Sequence, residues 1–446
     1  MRHVHSIVVV HALGAAVTSC SIDSNNSGGV AGTGGWPLTG GGTGTGGGAT
    51  GPGGATAAGG AVGAGGLIGL GGSTGLGGTA GSGWMAGGAG SAGIVGAGGT
   101  VMTGGTTGSS GAAGSDGAVG APGALAPCDI YQSAGTPCVA AHSTVRALYG
   151  AYGGNLYQVR RSSDQTTRDI AATSPGGFAD SAAQDAFCAG ATCTISIIYD
   201  QSTQGNDLEK SPQAYWLPNG GKEAPAAAGK ITVSGHTVYG VYVSADSVAY
   251  RNNATKGIAT GDQPEAMYMV VDGKRYSSTC CFDYGNAETT GKDDGNGTME
   301  AVYWGTDITW GGKGDGNGPW IAADLENGMF KGDKGGWQSQ SVYTPSAKSI
   351  IAAFATAMLK GPSGNHFTLK AADAQTGTLM TMWDGSRPSP GYSPKKLEGA
   401  IILGTGGDGS NGGVGTFFEG AMTAGNPPDA VDEQIQANIV AAGYGS

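Results

Sequence analysis

Charge is scarce in this chain, and positive charge scarcest. Of 446 residues, 12% are Asp, Glu, Lys or Arg, with 22 basic against 33 acidic side chains and a formal net charge of −11. No basic patch is available to neutralise phosphates, which excludes nucleic acid as a partner. Histidine is nearly as sparse: beyond the leader only His142, His236 and His366 occur, far apart and outside any HExxH frame. The cysteines lack paired CxxC ligand sets, so zinc is not expected, and nothing else in the sequence implies a metal or cofactor. Gly311-Gly-Lys-Gly-Asp315 lacks the ending of a phosphate loop. Asp293-Asp-Gly-Asn-Gly297 and Asp315-Gly-Asn-Gly318 lack the ligand alternation and terminal Glu of a calcium loop. A long apolar run is missing too. The stretch Ile7 to Val17 is too short to span a bilayer.

What the chain has in excess is glycine, 91 residues of it. From Cys20 to Ala126 the only charged residues are Asp23 and Asp116, set among irregular Gly, Ala, Ser and Thr repeats such as Gly40-Gly-Gly-Thr-Gly-Thr-Gly-Gly-Gly48. Such a segment has too few large apolar side chains to offset the entropy of ordering glycine, so residues 20–126 read as a disordered tether. A Gly-X-Ser-X-Gly match at Gly71 to Gly75 lies inside this tract with no strand before it and carries nothing. Residues 1–19 read as an export signal, with Arg2 at its start and Val17-Thr-Ser-Cys20 resembling a lipoprotein processing box. Cys20 is then the lipidated first residue, and the protein an exported, cell-surface or outer-membrane lipoprotein, touching membrane only through that anchor; otherwise it is simply secreted. Removing Cys20 from seven cysteines leaves six, and proximity suggests the pairs Cys128–Cys138, Cys188–Cys193 and Cys280–Cys281, in keeping with an oxidising location.

Residues 127–446 are long enough for one large domain, and no Gly/Pro/Ser-rich break divides them. Short β-type runs recur between Gly, Asn and Asp turns: Thr194 to Tyr199, His236 to Val243, Ala266 to Val271, Met299 to Trp304, Phe367 to Lys370, Gly399 to Leu403 and Thr416 to Met422. Helical patterns are few: Ser143 to Tyr149, Ser346 to Leu359 and Asp429 to Ala442. The pattern predicts an all-β domain, a β-sandwich with few short helices.

The segment Trp320-Ile-Ala-Ala-Asp324-Leu-Glu326-Asn327 carries the chemistry. On a strand, residues two apart share a face, so Asp324 and Glu326 are expected side by side on an otherwise apolar surface. Two acids so placed lose solvation and repel, which raises at least one pKa. Glycoside hydrolysis uses such a setting, with one carboxylate as nucleophile and another carboxyl as proton donor, whereas an edge strand with its acids in water is the bland alternative. Asp408, in the loop Gly404-Thr-Gly-Gly-Asp-Gly-Ser-Asn-Gly412 after an apolar strand, can approach a ligand closely or merely cap a turn. Cys280-Cys281 either closes a small ring or leaves two free buried thiols.

These motifs belong together. The stretch from Pro127-Cys-Asp-Ile-Tyr131 to Ile439-Val-Ala-Ala-Gly443 resembles the catalytic domain of glycoside hydrolase family 54, the α-L-arabinofuranosidases of the fungal B type. The resemblance runs through Pro137 to Thr144, Ile198-Tyr-Asp-Gln-Ser202, Tyr250-Arg-Asn-Asn253, Cys280 to Glu288, Gly318-Pro-Trp320 with Asp324 to Asn327, and Glu398 to Leu403 with Gly406-Gly-Asp408. It implies a retaining, exo-acting α-L-arabinofuranosidase that releases terminal arabinofuranosyl groups from arabinan- and arabinoxylan-type plant cell-wall polysaccharides and their oligosaccharides. Glu326 matches the nucleophile and Asp408 the general acid/base. Asp324, Asn327, Met299, Trp310 and Gly407 match residues lining the sugar pocket, and Cys280–Cys281 matches a vicinal disulfide against the sugar ring. Glu300 and Glu419 find no catalytic role in the match.

The fungal type carries a C-terminal arabinose-binding module, whereas this sequence stops at Ser446, so polymer targeting by that route is not expected. A monomer is. A related furanosidase or β-xylosidase is the nearest other activity, since arabinofuranose and xylopyranose present similar hydroxyls. A non-catalytic arabinosyl-binding lectin has no need for both Glu326 and Asp408, and an adhesin built around the tether leaves the domain match unexplained.

Overall fold

The computed structural model describes residues 125–446. The signal at 1–19, lipidation at Cys20 and nearly all of the tether expected over 20–126 lie outside the described residues. The described part holds 21 strands and three helices, an all-β domain in which two antiparallel sheets form a sandwich.

One sheet runs in the order Met380–Gly385, Phe367–Asp373, Phe354–Gly361, Glu265–Asp272, Gly415–Ala424, His236–Val243 and Gly229–Val233, with Cys138–Ser143 also paired to Gly415–Ala424. Its hairpins follow from local chemistry. Ser234 and Gly235, both at positive φ, make the two-residue turn that sets Val233 opposite His236. The other sheet begins Met329–Phe330, Trp320–Asp324, Glu300–Gly305, Asp283–Ala287, Ala400–Leu403 and Tyr250–Asn252, then continues to Thr167–Ala171. One continuous core draws on both sheets, with Met267, Met269 and Met358 from the first and Tyr284, Val302, Trp304 and Ile401 from the second.

All seven strands read from the sequence are present, with ends that differ by up to three residues. Of the helical readings, Asp429–Ala441 forms and packs on the first sheet, where its buried Asp432 accepts from Lys360 and Lys370 at 2.8 Å each. The other two are corrected. Ser346 to Leu359 is the end of one strand, Tyr343–Lys348, and most of another, Phe354–Gly361. That second strand is covered on both faces, with Thr356 and Lys360 buried along with its apolar residues, so no clear two-residue alternation distinguishes it from a helix. Ser143 to Tyr149 turns instead of coiling, because Ser143 Oγ accepts the N–H groups of both Val145 and Arg146 at 3.1 Å. Two short helices, Pro127–Ser133 and Ser181–Phe187, were not legible. The former opens with Pro, and Asp129 Oδ2 accepts the N–H of Ala126. The expected pairs Cys128–Cys138, Cys188–Cys193 and Cys280–Cys281 are disulfides.

Candidate active site

The strand Trp320–Asp324 ends at its first acid, which corrects the reading of Asp324 and Glu326 as neighbours on one strand face. Asp324 pairs with Ala301 on one side and Met329 on the other, and then the chain turns. Glu326 and Asn327 adopt φ of 67° and 57°, a left-handed conformation unfavourable for residues with a Cβ. Strain of that kind is kept where a side chain must point one particular way. Asp324 Oδ1 accepts the N–H of Glu326 at 3.3 Å, and both side chains, only 6% exposed, line the same cavity. The two acids therefore converge through a turn instead of a pleat.

That cavity, of about 890 Å³, is also lined by Asp408, Gly407, Asn327, Trp310 and Cys280, so the structure brings together seven of the nine sequence-predicted site residues. Asp408 arrives from the far side of the chain, on the loop after the strand Ala400–Leu403. Its Oδ1 accepts the N–H of Ser410 at 3.0 Å, and its backbone carbonyl accepts that of Trp216 at 3.0 Å. Met299 and Cys281 lie behind the wall and not on it. Met299 is buried with Ala287, Ala301 and Ile402 beneath Gly407, and Cys281 packs with Tyr303, Ala322 and Met329.

The aromatic walls are held from behind. Trp310 packs against Trp337 with ring centroids 4.4 Å apart and planes tilted by 41°, and its backbone N–H donates to Asp307 Oδ1 at 3.0 Å. The buried Lys331 ammonium donates to the carbonyls of Asp307 and Gly312, at 3.0 and 2.9 Å, and so clamps both ends of the Trp310 loop. Cys281 Sγ lies 3.6 Å from Asp324 Oδ2, placing the vicinal disulfide against the acids. Tyr215 and Trp216, largely exposed, stand at the rim edge to face.

Sequence reasoning gave no role to three residues that set the electrostatics of this site. Asp283, Glu288 and Arg251 are all buried. Asp283 finds no donor for either oxygen among the described residues, and meets the carboxyl of Asp324. Glu288 meets Glu326 in the same way. Burial is the first cause raising all four pKa values; the charge of Asp324 raises Asp283 further, and those of Glu288 and Asp324 raise Glu326. Burial and mutual repulsion therefore work against full ionisation of either pair. Arg251 donates to the backbone carbonyls of Gly407 and Glu288, and its charge faces Glu288, Asp408 and Glu326. The available signal was the buried strand Asp283–Ala287 with acids at its start and just past its end, inside the Cys280 to Glu288 motif.

A β-sandwich that sinks paired carboxyls beneath an aromatic-walled pocket has the marks of an all-β glycoside hydrolase domain. Residues 127–445 match the family model described as "Alpha-L-arabinofuranosidase B, catalytic", and the chain belongs to that family. It is 53% identical over 323 residues to the probable α-L-arabinofuranosidase B of Aspergillus fumigatus, covering 71% of this chain and 62% of that protein. It is equally 53% identical to a Trichoderma koningii protein named arabinofuranosidase/β-xylosidase, covering 71% and 63%. The chain thus spans less than two thirds of the length of these relatives. Among solved structures it superimposes on a family 54 α-L-arabinofuranosidase soaked with a cyclic sulfate inhibitor, with TM-score 0.69 and 48% identity over 72% of this chain and 66% of that one. An arabinofuranosidase complexed with arabinofuranosyl-α-1,2-xylobiose gives TM-score 0.68 at the same identity and coverage.

Proposed function

We propose that this protein is a retaining, exo-acting α-L-arabinofuranosidase acting on arabinan- and arabinoxylan-type polysaccharides and oligosaccharides. The observation that carries the reading is the meeting of Glu326 and Asp408, from distant parts of the chain, in one cavity with an aromatic wall. Glu326 attacks the anomeric carbon while protonated Asp408 gives its proton to the leaving oxygen; Asp408 then takes a proton from the water that hydrolyses the glycosyl-enzyme ester. Asp324 and Asn327 bind the sugar hydroxyls, Gly407 leaves room for the ring, and Trp310 with the Cys280–Cys281 disulfide forms its apolar faces. Met299 and Cys281 support this wall from behind. The chain works as a monomer, and its exported, lipid-anchored location at Cys20 with a tether through residue 126 belongs to the same proposal.

The name of the Trichoderma relative favours β-xylosidase as a second activity of the same pocket. Proton NMR of the first sugar released from aryl α-L-arabinofuranosides, arabinan and arabinoxylan tests the main reading. The α-anomer is expected; the β-anomer excludes retention and with it the assignment of Glu326 as nucleophile.

A further inference from the structure

Glu288 is fully buried beside the cavity, not on its wall. Its Oε1 lies 2.6 Å from Thr298 Oγ1, which fixes the carboxyl plane. Its Oε2 has no donor among the described residues, and its carboxyl meets that of Glu326 in a contact that raises the Glu326 pKa and lowers that of Glu288. The proton must nevertheless sit on Glu288 whenever Glu326 is the anion that attacks. Two ionised carboxylates are acceptors only, so the contact exists as a hydrogen bond only if one of them carries a proton. The same Oε2 fills the space where residue 407 has no side chain: a Cβ on Gly407 would overlap it. Arg251 ties the two segments by donating to the carbonyls of Glu288 and Gly407. Glu288 therefore touches the nucleophile on one side and the backbone next to Asp408 on the other.

We propose that Glu288 is a positioning residue for the hydrolytic reaction: a carboxylic acid that keeps the proton of the Glu288–Glu326 pair and donates it to the Glu326 carboxylate, aiming that carboxylate at the anomeric carbon. The inference rests on the reading of Glu326 as nucleophile. As Glu326 forms the ester, its charge is lost and the Glu288 hydrogen bond passes to the ester carbonyl. The proton stays on Glu288 through both steps, while the one that leaves with the aglycone comes from Asp408. Gly407 is required by this arrangement, since any side chain there displaces the acid.

The test compares Glu288→Gln, which keeps a donor and cannot ionise, with Glu288→Leu, which keeps volume without a donor. In the full chain, with folding of each variant checked by its melting temperature, Glu288→Leu should lose kcat by about 100-fold with KM little changed. Its acid limb of kcat/KM should move to higher pH, because Glu326 loses the donor that stabilises its anion. Glu288→Gln should recover kcat to within about tenfold of the wild type, with the acid limb in place. A fully active Glu288→Leu overturns the proposal, as does a Gln variant no better than Leu. An acid limb of the Leu variant moved to lower pH overturns it too, since Glu288 is then the ionised partner. Glu326→Ala, assayed alongside, separates the two failures: activity retained there removes the nucleophile assignment itself.

Discussion

Two groups of buried acids in this domain have nearly equal burial and opposite surroundings. Glu419 is bound by Arg146 Nε and Nη2 at 2.6 and 2.7 Å and by Tyr444 Oη at 2.8 Å. Glu300 is held by Arg387 and by Lys395, the latter at 3.2 Å, and Asp432 by two lysines. Each of these carboxylates has a cation in contact. Asp283, Glu288, Asp324 and Glu326 have none; they have one another. The nearby guanidinium of Arg251 spends its donors on backbone carbonyls and on Asn253. The first group resolves its burial within the fold, whereas the second is left with repulsion that only a ligand or a reaction can use. That contrast distinguishes the pocket acids from Glu300 and Glu419, which sequence alone could have nominated.

The sharpest way to break the contrast is to neutralise one acid from each group. Glu326→Gln should abolish turnover of an aryl α-L-arabinofuranoside, by about 10,000-fold or more. Its melting temperature should hold or rise, because the substitution relieves an uncompensated buried carboxyl. Turnover and thermal unfolding measured on one preparation decide it. If that variant unfolds many degrees below the wild type, the pocket acids are structural after all.

Legibility followed the same division. The strands were readable because alternation and turn residues are local, and Asp408 and Glu326 were readable because long motifs resemble a known family. The convergence of Asp324 and Glu326 was expected for the wrong reason, since nothing in Asp-Leu-Glu-Asn announces a left-handed turn at Glu326 and Asn327. Asp283, Glu288 and Arg251 stood inside recognised motifs, but their roles depend on contacts across strands. Spacing along the chain does not encode these. The strand Phe354–Gly361 was mistaken for helix because both of its faces are buried, the polar Thr356 and Lys360 included, with Lys360 paired to acids of the Asp429–Ala441 helix.

The opposite substitution is smaller in activity and larger in stability. Glu419→Gln leaves Arg146 buried with its main partner gone, which should lower unfolding free energy by about 3–5 kcal/mol. Its kcat per folded molecule should stay at the wild-type value, since Glu419 contacts no cavity residue. Chemical denaturation with activity normalised to the folded fraction checks both parts. A large loss of kcat at full folding would remove the distinction between the groups.

The smallest expected effect is a slope. Burial first, then the charges of Glu288 and Asp408, push the Asp324 carboxyl up to about 7, against the hydrogen bond from Asp283, which works the other way. An unfolded Asp ionises near about 4. Between those values the folded state holds a proton that the unfolded chain has released, so stability must fall as pH rises. The contribution is complete below about 4 and is lost as pH passes through the folded value. Asp324→Asn cannot titrate, so its melting temperature should decline less than the wild type's between pH 4 and 7, by about 2 °C or more over that window. Asp429, an exposed acid that shares Lys360 and Lys370 with the buried Asp432, is the control. Its hydrogen bonds to Lys360 and Lys370 hold its pKa at about 2, so it is ionised in the folded state throughout the window. Asp429→Asn should therefore lower stability by a constant amount above about pH 5, leaving the slope there as it is, and its difference from the wild type should shrink only toward lower pH, where protonation of Asp429 removes this pair's contribution. Scanning calorimetry of the three proteins across the window distinguishes them. Parallel slopes for wild type and Asp324→Asn would mean that Asp324 is ionised in the folded state throughout the window.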